Sequence, residues 1–166
     1  VFMALKDYDV KVGTIEAPGK SNAISSNAKM EIYIREERVN EMLECLRQLE
    51  KMFQNELAAS DYVEVQVENL GKVSSCEVFT EEMLGRLRGV LTLMPQGVMN
   101  MSMSVQGLVQ TSINTGSMEE KDGAIVLESA LRSSVESEKY FIRDKVQMIA
   151  DIFGAECQWS GVYPGW

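Results

Sequence analysis

Two polar residues in this sequence stand where a side chain could handle a small charged ligand. Asn22 lies in a turn, flanked by Ser21 and Ala23, where its amide can face outward with donors and acceptor both available. Arg132 closes an otherwise apolar run, Ile125-Val126-Leu127-Glu128-Ser129-Ala130-Leu131. A guanidinium at a strand end suits bidentate capture of a carboxylate. Plainer roles answer the same spacing: an Asx turn for Asn22 and a surface ion pair for Arg132.

Other candidate groupings are weaker. Met99, Met101 and Met103 could offer thioethers to Cu(I), but a period of two places all three on one strand face, where packing is the simpler reading. Glu119 and Glu120 fall in an acidic loop, and Glu81 and Glu82 in a helix first turn, so both pairs read as solvated rather than as an acid/base couple. Cys45, Cys76 and Cys157 are widely spaced, form no C-x-x-C pair and read as reduced, structural thiols. The chain has no histidine. That removes Ser–His and Cys–His nucleophile pairs and every His-ligated zinc site, leaving carboxylates, lysine or thiolate for any chemistry confined to these residues. Phosphate-binding glycine loops and nucleophile elbows are also missing.

The 166 residues fit one domain, residues 1–166, and 45% hydrophobic with 25% charged residues is ordinary for a packed globular chain. Sixteen Lys+Arg against 25 Asp+Glu give a net charge of −9, which disfavours both nucleic acid and an anionic membrane surface. No apolar stretch is long enough to span a membrane and no signal peptide opens the chain, so a cytoplasmic protein is expected. A start at Val1 and an end at Trp166 suggest a piece of something longer.

The elements that must position these residues follow from periodicity. Val1 to Leu5 reads as a helix end. Asp9–Ile15 and Lys29–Ile34 alternate as neighbouring antiparallel strands around the Ala17-Pro18-Gly19 turn. From Glu36 to about Ala59, Val39, Met42, Leu43, Leu46, Leu49, Met52, Phe53 and Leu57 form one helical stripe. Tyr62–Val67 alternates as a strand. Thr80 caps a helix running to about Leu93, stopped by Pro95 and Gly97. Gly107–Thr115 and Ala124–Arg132 read as a strand pair joined by a loop closing on Asp122-Gly123. Ser133 or Ser137 caps a last helix ending at Phe153-Gly154, and Glu156–Val162 reads as a final strand. The order predicts an α+β fold: a two-layer sandwich of an antiparallel sheet with helices on one face. The other sheet face is left over for a partner.

Several of these segments together resemble the aminoacyl-histidine (Xaa-His) dipeptidases, the peptidase D family of dinuclear-zinc metallopeptidases. The resemblance rests on Met94-Pro95-Gln96-Gly97-Val98-Met99-Asn100, on Val109-Gln110-Thr111-Ser112-Ile113-Asn114-Thr115-Gly116, on Leu131-Arg132-Ser133-Ser134 and on Gly161-Val162-Tyr163-Pro164-Gly165-Trp166. Asn22-Ala23-Ile24 is similar to that family's Asn-Ala-Ile-Pro motif, with Ser25 in place of proline, which suggests a looser turn. The resemblance implies the family's inserted lid, or dimerisation, domain, a ferredoxin-like α+β unit. It implies that Asn22 helps hold the substrate carbonyl or carboxylate and that Arg132 binds the dipeptide's terminal carboxylate. It implies zinc in the parent enzyme, bound by ligands outside this chain, with no catalytic or metal residue here and no activity or bound metal for the piece alone. The family's Gly-Gly-His-Ser-Gly lid motif is not found. Implied partners are a dipeptide substrate, the catalytic domain of the same parent chain and a second copy in a homodimer. A free-standing small-molecule-binding regulatory domain and a pure oligomerisation module are the alternatives.

Overall fold

The computed structural model describes residues 2–58 and 61–161. The chain is α+β, as the alternating periodicities predict, with eight main elements. These are β1 (Lys11–Glu16), β2 (Lys29–Tyr33), α1 (Val39–Glu56), α2 (Glu81–Leu93), β3 (Gly97–Met101), β4 (Val109–Lys121), β5 (Ala124–Ser133) and α3 (Glu136–Phe153). The described strands form two sheets, a β1–β2 pair and a three-stranded sheet in the order β3-β4-β5.

The chain divides into two compact units, the first made of Val1–Gly13 and Glu31–Phe79 and the second of Thr14–Met30 and Thr80–Trp166. The division falls within both β1 and β2. The first unit carries a short 3-10 helix at Ala4–Tyr8, where the sequence suggested a helix end. It also carries α1, whose stripe buries Met42 and Leu46, while Met52, Phe53 and Leu57 at its far end are exposed.

Tyr62–Val67 is not a strand. Its alternation is real, but the backbone N–H of Val63 donates to Gln54 Oε1 (3.0 Å) and that of Val65 to Glu50 Oε1 (2.8 Å). The segment is thus laid along α1 by helix side chains, and those two donors are satisfied without a strand partner.

The second unit holds the three-stranded antiparallel sheet, with α3 packed on β5 and α2 on α3. Its buried apolar residues include Leu84 and Leu87 of α2, Ile113 of β4, and Ile142, Ile149 and Ala150 of α3. Thr80 caps α2 as predicted, its hydroxyl accepting from the Met83 N–H at 3.1 Å. Gly154, at φ +62°, ends α3 in the left-handed conformation that terminates helices. The Arg86 guanidinium then donates to the carbonyls of Phe153 (2.6 Å) and Gly154 (2.9 Å), so a cation satisfies the negative end of the α3 dipole.

β4 and β5 are longer than expected, because the acidic segment read as a loop is strand. Glu119 pairs with Val126 and Glu120 with Ile125, and Lys121↔Ala124 closes the hairpin on Asp122-Gly123. Both turn residues have positive φ, as a two-residue turn of the I′ type requires. A bulge at Gly116 separates the Thr115↔Ser129 and Ser117↔Glu128 pairs.

Three further expectations are corrected. β3 ends at Met101 and its register is irregular around Asn100, so the three methionines share no packed face: Met99 is half-buried, Met101 is exposed and Met103 is wholly exposed. The α3 N-cap is Val135; Ser133 lies two residues earlier, and its hydroxyl accepts from the Val135 N–H. Residues 156–161 form no strand, while Val162 and the closing Tyr163-Pro164-Gly165-Trp166 lie outside the described residues.

Candidate functional site

The loop after β1 presents Asn22. Ala17 leaves β1 and bridges to Met118 of β4 through two backbone hydrogen bonds (2.7 and 3.0 Å). The chain then turns, with the Ala23 N–H donating to the Lys20 carbonyl at 3.0 Å. This turn sits directly on the β4 bulge. A Cβ added at Gly116 would fall 1.9 Å from the Lys20 carbonyl oxygen and 2.6 Å from that of Ala23, and a Cβ at Gly19 would fall 2.5 Å from the Gly116 oxygen. Only backbone without side chains can approach so closely.

Ser25 closes the loop. Its hydroxyl lies 2.7 Å from the Pro18 carbonyl and also hydrogen-bonds the Asn27 carbonyl. Where the sequence suggested a looser turn, a side-chain hydrogen bond therefore ties it. Asn22 is exposed, and its amide makes no hydrogen bond among the described residues, so both its donors and its acceptor are open to a ligand.

Arg132 stands near the end of β5, half-buried, opposite Ser112 of β4. Strand alternation places it with Ser112, Asn114, Ala130 and Val98 on the sheet face away from Ile113 and Leu131. The Ser112 row and the Gly116 bulge are four residues apart on β4, about 13 Å at strand rise. β4 thus carries both candidate residues: Arg132 through a neighbouring strand, Asn22 through the loop seated on the bulge.

A polar cluster that periodicity does not reveal lies immediately behind Arg132. Glu138, in the first turn of α3, accepts from Asn100 Nδ2 (2.8 Å) and Gln110 Nε2 (2.9 Å) on one oxygen and from the Thr111 hydroxyl on the other. These bonds, that from Thr111 foremost, hold its carboxyl below the usual carboxylate range. Thr111 and Ser133 are cross-strand partners, buried to 1% and 5% exposure, with their hydroxyl oxygens 2.8 Å apart. The one available signal was the alternation that turns Thr111 and Ser133 inward; their convergence on Glu138 depends on strand register.

Shallow cavities among the described residues of this unit include the following two. One of about 320 Å³ is lined by Thr14, Ile15, Glu16, Pro18, Glu119 and Glu120, and one of about 200 Å³ by residues that include Asn100, Thr111, Glu138, Phe141 and Lys145. The residues present do not fit a zinc site. There is no histidine, and among the described residues no three Cys, Asp or Glu side chains come together to hold a metal ion.

No family model matches the chain. It is 25% identical over 98% of its length to the cytosol non-specific dipeptidase of Escherichia coli (strain K12), of which it covers 32%. The crystal structure of aminoacylhistidine dipeptidase from Vibrio alginolyticus superposes with a TM-score of 0.86 at 25% identity, over 98% of this chain and 33% of that one. The chain resembles part of a dipeptidase in both sequence and fold. The likeness read from the scattered motifs is borne out over nearly the whole chain, and the chain spans about a third of the length of the dipeptidases it matches. Among the described residues no helix is long and apolar enough to cross a membrane.

Proposed function

We propose that residues 1–166 act as the lid, or dimerisation, domain of a cytoplasmic, zinc-dependent dipeptidase that hydrolyses Xaa-His-type dipeptides. The observation that carries this reading is the match of 98% of the chain, at a TM-score of 0.86, to one third of an aminoacylhistidine dipeptidase. In this reading Asn22 holds the substrate carbonyl or carboxylate, and Arg132 takes the terminal carboxylate in a charge-assisted pair. The loop supports the first role, since Ser25 and the Gly19–Gly116 approach hold an exposed amide on a short, braced turn. The second is supported by strand placement, which projects a long cation from a sheet rather than from a flexible loop.

Metal and proton-accepting groups are assigned to the rest of the parent chain; among the described residues here no three Cys, Asp or Glu side chains come together. The contribution of this domain is orientation, which is worth several kcal/mol when the geometry is right. Pairing of two copies is assigned to the edge of the β3-β4-β5 sheet, where Val98 and Met101 are exposed on β3. In the full-length protein, Arg132→Ala and Asn22→Ala should each lower kcat/KM for dipeptides while the zinc content stays the same. Unchanged kinetics in both variants would overturn the assignment.

A further inference from the structure

Arg132 and Ser133 are consecutive on β5, so they face opposite sides of the sheet. Behind the strand, the Ser133 hydroxyl belongs to a hydrogen-bonded chain whose direction can be worked out by counting protons. An ionised carboxylate only accepts, and each hydroxyl has one proton to give. Glu138 takes Asn100 and Gln110 on Oε1, and its Oε2 takes the proton of Thr111. With its own proton committed, Thr111 Oγ1 can only accept from Ser133, 2.8 Å away. Ser133 Oγ in turn accepts from the Val135 N–H at 3.0 Å. The Val135 carbonyl, 2.9 Å from the same hydroxyl, is the competing acceptor for the Ser133 proton. Thr111 thus gives its proton to Glu138, while the single proton of Ser133 is shared between two acceptors, Thr111 Oγ1 and the Val135 carbonyl; when it goes to Thr111, the chain runs unbroken from Val135 N–H through Ser133 and Thr111 to Glu138 and each bond polarises the next.

We propose that this Val135–Ser133–Thr111–Glu138 chain is the positioning device for Arg132, locking the end of β5 and the entry to α3 so that the guanidinium is held in one direction on the sheet face away from Ile113. The proposal rests on the reading of Arg132 as the carboxylate-binding residue. Glu138, Thr111 and Ser133 touch no substrate in it; they act through Arg132. The chain joins three elements at the residue next to Arg132. β4 supplies Thr111, β5 supplies Ser133 and α3 supplies Glu138, while Asn100 ties in the edge strand β3. A bare hydrophobic contact would hold these elements together but would not set the backbone at 133–135, where two of the bonds fall.

The test compares kcat/KM for a dipeptide with that for its C-terminal amide in the full-length protein; the ratio reads terminal-carboxylate recognition and is insensitive to a general loss of active enzyme. Thr111→Val should lower the ratio about tenfold through a higher KM for the free acid, with amide kinetics unchanged. Thr111→Ser, which keeps the hydroxyl, should restore it. Glu138→Gln, at a half-buried position where folding is less at risk, should lower the ratio as well. An unchanged ratio in both Thr111→Val and Glu138→Gln overturns the proposal, as does an equal fall in acid and amide kinetics. Arg132→Ala is measured alongside. If it leaves the ratio intact, the carboxylate-binding reading itself fails and the positioning role falls with it; if it abolishes the ratio while the other two do not, only the positioning role is lost.

Discussion

Replacing Gly116 by alanine should disturb the Asn22 loop more than the sheet that bears it. The added Cβ would lie 1.9 Å from the Lys20 carbonyl oxygen, and ordinary van der Waals contact begins near 3.4 Å. The loop must therefore withdraw by about 1.5 Å, or the bulge must flatten against the β4–β5 register. Both partners are backbone, so no side-chain rotation relieves the clash. Overpacking of this kind costs about 1–3 kcal/mol, seen as a lower melting temperature in a thermal scan. The larger effect should be kinetic, because a misplacement of about 1 Å in a positioning group can cost on the order of a hundredfold. In the full-length protein, Gly116→Ala should lower kcat/KM for dipeptides by at least about tenfold while bound zinc is unchanged. A variant with wild-type melting and kinetics within twofold of wild type would refute the close approach or the role of the loop.

Two further outcomes follow from local chemistry. Thr80→Ala removes the hydroxyl that accepts from the Met83 N–H, and should destabilise the protein by about 1 kcal/mol in denaturant titration with no change in dipeptide KM. Glu138 has its carboxyl held below the ordinary value near 4.5 in the folded chain. Its contribution to stability is thus complete above that pH and is lost as pH falls through the lower folded value. Melting temperatures measured downward from pH 5 should fall more steeply for the wild type than for Glu138→Gln, and parallel curves would show that the cluster does not favour the ionised form.

Where the periodicity signals were local they carried over to the structure. The Thr80 cap, the Asp122-Gly123 turn and the Gly154 stop each depend on a few adjacent residues, and each is where the sequence puts it. Signals that depend on a partner did not specify the partner. Tyr62–Val67 alternates as a strand does, yet Gln54 and Glu50 of α1 take the N–H groups of Val63 and Val65. The acidic stretch before Asp122 looks like loop by composition, but cross-strand pairing carries Glu119 and Glu120 to the hairpin tip.

The candidate site divides in the same way. Asn22 and Arg132 were visible as polar residues at a turn and a strand end, and the structure leaves the first exposed and the second half-buried on the sheet face away from Ile113. What braces them was hidden. The Gly116 bulge arises from register between the Thr115↔Ser129 and Ser117↔Glu128 pairs, and the contacts of Thr111 with Ser133 and Glu138 join residues more than twenty apart; a single-chain periodicity is blind to both.

The central claim is that this domain recognises a dipeptide by its terminal carboxylate through Arg132. The most direct measurement is a cycle in the full-length protein that pairs Arg132→Ala with removal of the substrate's charge, the free dipeptide against its C-terminal amide. Hydrogen bonds to charged groups are worth about 1.5–3 kcal/mol, so the wild type should prefer the free acid by about 10–150-fold in kcat/KM. Arg132→Ala should bring that preference close to one, and Arg132→Lys, which keeps the charge without the planar fork, should fall between. An Arg132→Ala enzyme that still prefers the free acid as strongly as the wild type would contradict the account.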